Sequence, residues 1–154
     1  MSHIHEKIDF TVEVFIVYNN KVLLRKHDKY KFWLSIGGHI ELDEDPIDAV
    51  VREAKEEVGL DIELCDTAKN PRFREEDYKE LLPPVAVNRH RINNSHEHVT
   101  FSYFAKSRTD VLKLSTREVT ESCKWFTFEE LEDSTYNIKD HIKHCAKEAL
   151  KKCN

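Results

Sequence analysis

The chain reads as an α/β fold in which strands dominate. Three observations point there: an asparagine-punctuated pair of apolar runs near the N-terminus, two helical stretches with recognisable ends, and further strand-like runs between them. Ile8 to Tyr18 alternate loosely and are rich in Val, Ile and Phe, and Asn19-Asn20 separates them from Lys21-Val22-Leu23-Leu24-Arg25. Asparagine tolerates the positive φ of a primed turn, so this is a β-hairpin. Leu34-Ser35-Ile36 then runs into Gly37-Gly38, a pair that marks a turn or a close backbone approach.

Asp45-Pro46 predicts a helix start, with Asp able to cap free amides and Pro at the first helical position. The helix runs to about Val58, and Gly59 suits a left-handed cap. Residues 61–65, 84–92, 98–105 and 123–126 read as strands, and 129–132 as a short helical turn. Residues 137–152 form a second long helix with Ile138, Ile142, Cys145, Ala146, Ala149, Leu150 and Cys153 on one side. Residues 70–80 are polar and read either as a long loop or as an inserted helix.

A length of 154 residues suits one domain over 1–154, and 40% hydrophobic with 34% charged residues describes a globular chain. No apolar run approaches the roughly 20 residues that span a bilayer, and the first residues lack the order of a signal peptide. A cytoplasmic, non-membrane protein is expected. The four cysteines form no Cys-x-x-Cys pair, which gives little support to a disulfide framework or a thiolate zinc site. The net charge of -5 argues against stable nucleic-acid binding. Residues 38–60 hold 8 acids against Arg52 and Lys55, a balance of -6 that leaves +1 for the remainder of the chain. A homodimer stays open.

At 100° per residue, Ile47, Val50, Val51, Ala54 and Val58 share an arc about 100° wide, whereas Glu53, Glu56 and Glu57 cluster roughly 120° away. Like charges at this spacing repel by a few tenths of a kcal/mol per pair, about what a solvated acidic stripe tolerates. A hard divalent cation such as Mg²⁺ or Mn²⁺ offsets that repulsion directly.

The order Gly38, five residues, Glu44, seven residues, Arg52-Glu53-Ala54-Lys55-Glu56-Glu57-Val58-Gly59-Leu60 resembles the signature box of the Nudix hydrolases at every fixed position. Val22-Leu23-Leu24-Arg25 looks like the family's second strand, and Trp125 to Leu131 like its late aromatic and acidic segment. Where many members carry proline before the glycine pair, this chain has Ile36. The resemblance implies an α/β/α sandwich with a mixed sheet and a catalytic loop-helix-loop. It also implies metal-dependent hydrolysis of a pyrophosphate bond in a nucleoside diphosphate linked to another group.

Carried over by residue, the resemblance makes Glu56 and Glu57 metal ligands, helped by a backbone carbonyl of Gly37 or Gly38. Glu53 is a further ligand or the general base, Arg52 orients Glu56 through a bidentate bond, and Glu44 orders the loop or reaches a second metal through water. Glu97 is the candidate for a further catalytic acid, with Glu118 and Glu121 behind it. Arg25, Arg89 and Arg91 are candidates to hold phosphates, and Trp33 to wall the base; Tyr30, Phe32, Tyr103 and Phe126 read rather as core. His90, His96 and His98 raise the question of zinc, but alternating residues at a strand end more often face solvent or bond backbone. His141, His144 and Cys145 raise it again, and a packed Cys145 is the expected outcome. A nucleoside triphosphate yielding monophosphate and pyrophosphate is the first expectation. The alternatives are a dinucleoside polyphosphate hydrolase, for which Tyr78 downstream of the box is slight evidence, a nucleotide-sugar hydrolase, although Glu75 and Glu76 stand where the family's ADP-ribose hydrolases often carry a proline, and a non-catalytic nucleotide-binding regulator.

Overall fold

The computed structural model describes residues 7–68, 70–115 and 123–153. The first two strands, β1 (Ile8–Tyr18) and β2 (Lys21–Lys26), form the expected hairpin, with φ of 46° at Asn19 and 60° at Asn20. Two short strands follow, β3 (Trp33–Leu34) and β4 (Ile36–His39), then helix α1 (Pro46–Val58) and β5 (Ile62–Leu64). Next come β6 (Arg74–Glu75), β7 (Tyr78–Lys79), β8 (Ala86–Asn93), β9 (His96–Ser107) and β10 (Cys123–Phe126). Helices α2 (Phe128–Leu131) and α3 (Asp140–Lys152) complete the described chain.

The main sheet has eight strands in the order β10-β2-β1-β9-β5, with β3 on β2, β4 on β1 and β8 on β9. The pairing of β1 with β9 is parallel and the other named pairings are antiparallel, so the sheet is mixed. Both faces are covered. Val12, Val14, Ile16, Leu23, Ile36 and Tyr103 pack beneath α1, while Phe15, Val17, Leu24, Phe104 and Phe126 pack beneath α3. This two-faced burial explains why residues 14–17 of β1 are apolar without interruption instead of alternating.

Helix α1 starts and stops where the sequence indicates. Asp45 accepts from the Asp48 amide at 2.9 Å and its own amide donates back to Asp48 at 3.1 Å, a reciprocal cap typically worth about 1 kcal/mol. Gly59 ends the helix at φ 72°, donating to Ala54 and Lys55 carbonyls. Its buried face, however, is rotated from the expected arc. Val51 is 45% exposed and Glu57 only 7%, because the sheet is met by Val50, Ala54, Glu57 and Val58.

Three further expectations need correction. Residues 70–80 are neither a plain loop nor a helix, since β6 and β7 pair as a small antiparallel hairpin. Helix α3 begins three residues late: the Trp33 amide donates to the Asn137 carbonyl at 2.9 Å and Ile138 bridges Trp33, holding the lead-in extended. Cys65 and Cys153, 88 residues apart, form a disulfide that their spacing did not announce. The fold makes them neighbours, because β5 delivers Cys65 and the end of α3 delivers Cys153 to the same core. Among the described residues no helix is long and apolar enough to cross a membrane.

A crosslink closing so long a loop stabilises by about 4 kcal/mol on the chain-entropy account. Protein unfolded without reductant is therefore expected to titrate as two thiols, Cys123 and Cys145, and as four after reduction, with a lower melting temperature. Four thiols before reduction would contradict the pairing.

Candidate active site

Capping at Asp45 and the rotated phase of α1 aim its acidic residues at the end of β4. The Arg52 guanidinium is the hub. Nε donates to Glu44 at 2.5 Å and Nη2 to the other Glu44 oxygen at 3.2 Å, a two-pronged grip on the loop before the helix. Nη1 donates to Glu53 at 2.9 Å and to Glu56 at 3.2 Å, while Nη2 also reaches the His39 carbonyl at 2.9 Å. Burial alone would lower the Arg52 pKa, but the Glu44 and Glu53 bonds more than offset this and hold it above its ordinary value. The bidentate partner is thus Glu44, where Glu56 was expected, and Glu56 keeps its carboxylate mostly in solvent.

Glu57 lies under the sheet. It accepts from the Gly37 amide at 3.4 Å, and Arg25 of β2 stands 3.9 Å away with its Nε donating to the Ser35 carbonyl at 3.2 Å. Burial pushes the nearby Cys123 thiol up to about 11, with Arg25 opposing and Glu57 adding to it, so this thiol is a protonated neighbour.

The glycine pair makes the close approach possible. In the β1 ladder Gly37 faces Glu13 and Gly38 faces Val12. A Cβ on Gly38 would lie 2.3 Å from a Glu53 carboxylate oxygen, and one on Gly37 would lie 2.1 Å from the Val12 carbonyl oxygen. Gly38 thus gives up its space to an acid, and Gly37 to the ladder itself.

The other expected residues are placed differently. Trp33 is 7% exposed and packs edge-on against Phe126 and Tyr136 at 4.9 and 6.2 Å, so its ring belongs to the core. Tyr103 and Phe126 are core as expected, whereas Tyr30 is exposed against His27 and Phe32. Arg89 clasps Glu97 at 2.7 and 3.1 Å, so two residues expected in separate roles are engaged with each other across β8 and β9. Arg91 is an exposed β8 residue paired in register with Glu97. Glu118 and Glu121 lie outside the described residues. Of the histidines expected to face solvent or bond backbone, His96 is buried, His98 half-buried and His90 exposed. Cys145 packs against the core beneath α3, as expected.

One residue escaped the sequence reading. Glu13 accepts from Ser102 at 2.5 Å and from Ser35 at 2.6 Å, next to Gly37 in the ladder. It is close enough to bear on both His90 and Cys145. The signal was present: Asp9, Thr11 and Glu13 occupy alternate positions of β1 among apolar residues, a polar strip on one sheet face.

The two glycines should fail differently. Gly37→Ala is expected to cost about 2 kcal/mol or more, because backbone must move. Gly38→Ala is expected to keep near-wild-type stability while displacing Glu53 and lowering turnover. Denaturant unfolding beside activity measurements checks this, and equal destabilisation by the two would contradict the geometry.

Comparison with known proteins agrees with the geometry. The NUDIX domain family model matches residues 8–145. A NUDIX-family hydrolase structure from Clostridium perfringens superposes with a TM-score of 0.79 at 33% identity, covering 95% of this chain and 98% of that one. A MutT NUDIX hydrolase from Burkholderia pseudomallei shares the fold at 22% identity and a TM-score of 0.62, over 97% and 100% of the two chains. A 50-residue stretch is 44% identical to dihydroneopterin triphosphate diphosphatase of Haemophilus influenzae, covering 32% of each protein. With the glycine pair, the Arg52 hub and the acidic helix all in place, the chain belongs to the Nudix hydrolase family.

Proposed function

We propose that the protein is a Mg²⁺- or Mn²⁺-dependent pyrophosphohydrolase acting on a nucleoside triphosphate, releasing monophosphate and pyrophosphate. The observation that carries this is the Arg52 guanidinium holding Glu44, Glu53 and Glu56 together beside Gly37 and Gly38. Four carboxylates, counting Glu57, face two guanidiniums, Arg52 and Arg25, so the cluster retains a formal charge of about -2. An oxygen-only donor set with that excess fits a hard cation. Glu56 and Glu57 would hold the ion, with a carbonyl of Gly37 or Gly38. When bound, it neutralises phosphate charge and lowers the pKa of attacking water.

The chain's own residues do the remaining work. Arg52 fixes two of the acids and the loop, and the partial burial of Glu53 and Glu57 keeps both carboxylates in place. Glu53 accepts the proton of the attacking water. Glu97, neutralised by Arg89, is left outside the chemistry. Arg25 offers a charge-assisted bond toward phosphate from the floor of the site. The cytoplasm, where nucleotides are plentiful, is the compartment we assign.

The base is the second question. Glu13, held by two serines one strand from the glycine pair, keeps lone pairs for an adjacent N–H and NH₂. Guanine and pterin rings both present that edge, and the Haemophilus relative is named for a pterin triphosphate. Guanine or pterin triphosphates are therefore the favoured substrates within the class.

Screening nucleoside triphosphates, dihydroneopterin triphosphate, nucleotide sugars and dinucleoside polyphosphates with Mg²⁺ or Mn²⁺ tests the reading. Pyrophosphate release from a triphosphate supports it, and no turnover of any triphosphate overturns it. Glu53→Gln is expected to lower kcat by about 10²-fold or more, and Glu97→Gln by far less. The reverse order would move the base to β9.

A further inference from the structure

On the opposite end of β1 from the hairpin, three neighbouring strands bring imidazoles around a buried carboxylate. We propose that Asp9, His39 and His98 form a second metal site, separate from the acidic helix, that binds a zinc-class transition ion. In the ladders His39 of β4 faces Thr11 of β1, and His98 of β9 faces Asp9, so hydrogen-bonded backbone sets the spacing of the three side chains. One donor atom from each lies within 4.8 Å of the others. A tetrahedral ion with bonds of about 2.0–2.1 Å separates its ligand atoms by about 3.4 Å. Asp9 Oδ2 stands 3.4 Å from His39 Nε2, at that separation, and 3.2 Å from His96 Nε2, which puts a third ring close to the carboxylate.

The rings crowd together. His39 and His96 meet His98 edge-on, at centroid distances of 5.0 and 5.1 Å and interplanar angles of 83° and 89°. Asp9 is 1% exposed and His96 5%, so the carboxylate sits where an ionic group needs a strong partner. Nitrogen donors with a single carboxylate are a poor set for Mg²⁺ and a good one for Zn²⁺.

Such an ion would tie β4, β1 and β9 together at the residue following Gly38. The His39 carbonyl accepts from Arg52, so the site anchors the strand end on which the acidic cluster is built. The inference concerns side chains on the sheet and holds whatever the helix binds.

Calorimetric titration of chelator-stripped, full-length protein with Zn²⁺, in the absence of Mg²⁺ and nucleotide, tests it. One equivalent is expected to bind and to raise the melting temperature. Asp9→Asn and His98→Gln should each weaken binding by about tenfold or more and shrink that rise, whereas the combined Glu53→Gln, Glu56→Gln, Glu57→Gln variant keeps both. Should a variant fail to fold, the wild type answers through NMR: zinc should shift the ring resonances of His39 and His98 and spare those of His141 and His144. Absence of binding, binding that survives Asp9→Asn and His98→Gln, loss in the glutamate variant, or unshifted His39 and His98 resonances would each overturn the proposal.

Discussion

Carboxylates repel, and this protein packs Glu44, Glu53, Glu56 and Glu57 around one end of a strand. The Arg52 guanidinium makes that possible. At close range two like charges repel by about 1 kcal/mol in water and several times more at a partly buried site, so the cluster would splay without a cation inside it. A guanidinium is suited to this because its donors are fixed in a plane, so one side chain serves Glu44 on one edge and Glu53 with Glu56 on the other. The bond from Arg52 to the His39 carbonyl then ties the helix to β4.

The surrounding structure follows from that requirement. Helix α1 must present Arg52 to the loop and Glu57 to the sheet at once, which fixes its rotation and turns Val51 outward. Gly38 must leave room for Glu53, and Gly37 must lie flat against β1. The sheet supplies rigidity through burial on both faces, with α1 on one side and α3 on the other. Beyond the part of β1 that α3 covers, its α3-facing positions turn polar, and Glu13, Thr11 and Asp9 line that strip. The same strand thus serves as apolar core at one end and as a largely buried polar strip at the other.

Much of this was legible in the residues. The Asn-Asn turn, the Asp-Pro start and the Gly59 stop each depend on local backbone chemistry, and each fell where it was expected. Features that depend on distant partners were not legible. A helical wheel places Glu57 with its acidic neighbours, but only the packed sheet shows that it is buried. The Cys65–Cys153 bond joins residues whose proximity exists only after β5 and α3 are folded. Trp33 stands near the glycine pair in sequence, yet its ring turns into the core. Arg89 and Glu97 looked like independent candidates because strand pairing between β8 and β9 cannot be read from their spacing. The candidate cluster was legible in the sequence because its acids and Arg52 fall within one loop and one helix.

The central claim is that guanidinium geometry, beyond positive charge alone, holds the acids ready for a cation. Arg52→Lys tests it, since lysine keeps the charge and loses the fork. The decisive measurement is the Mg²⁺ dependence of triphosphate turnover in that variant, with unfolding followed in parallel. The account predicts a stability change within about 1 kcal/mol, a turnover lowered by about 10²-fold or more, and a higher Mg²⁺ requirement. Wild-type turnover at wild-type Mg²⁺ concentration in a folded Arg52→Lys protein would contradict it.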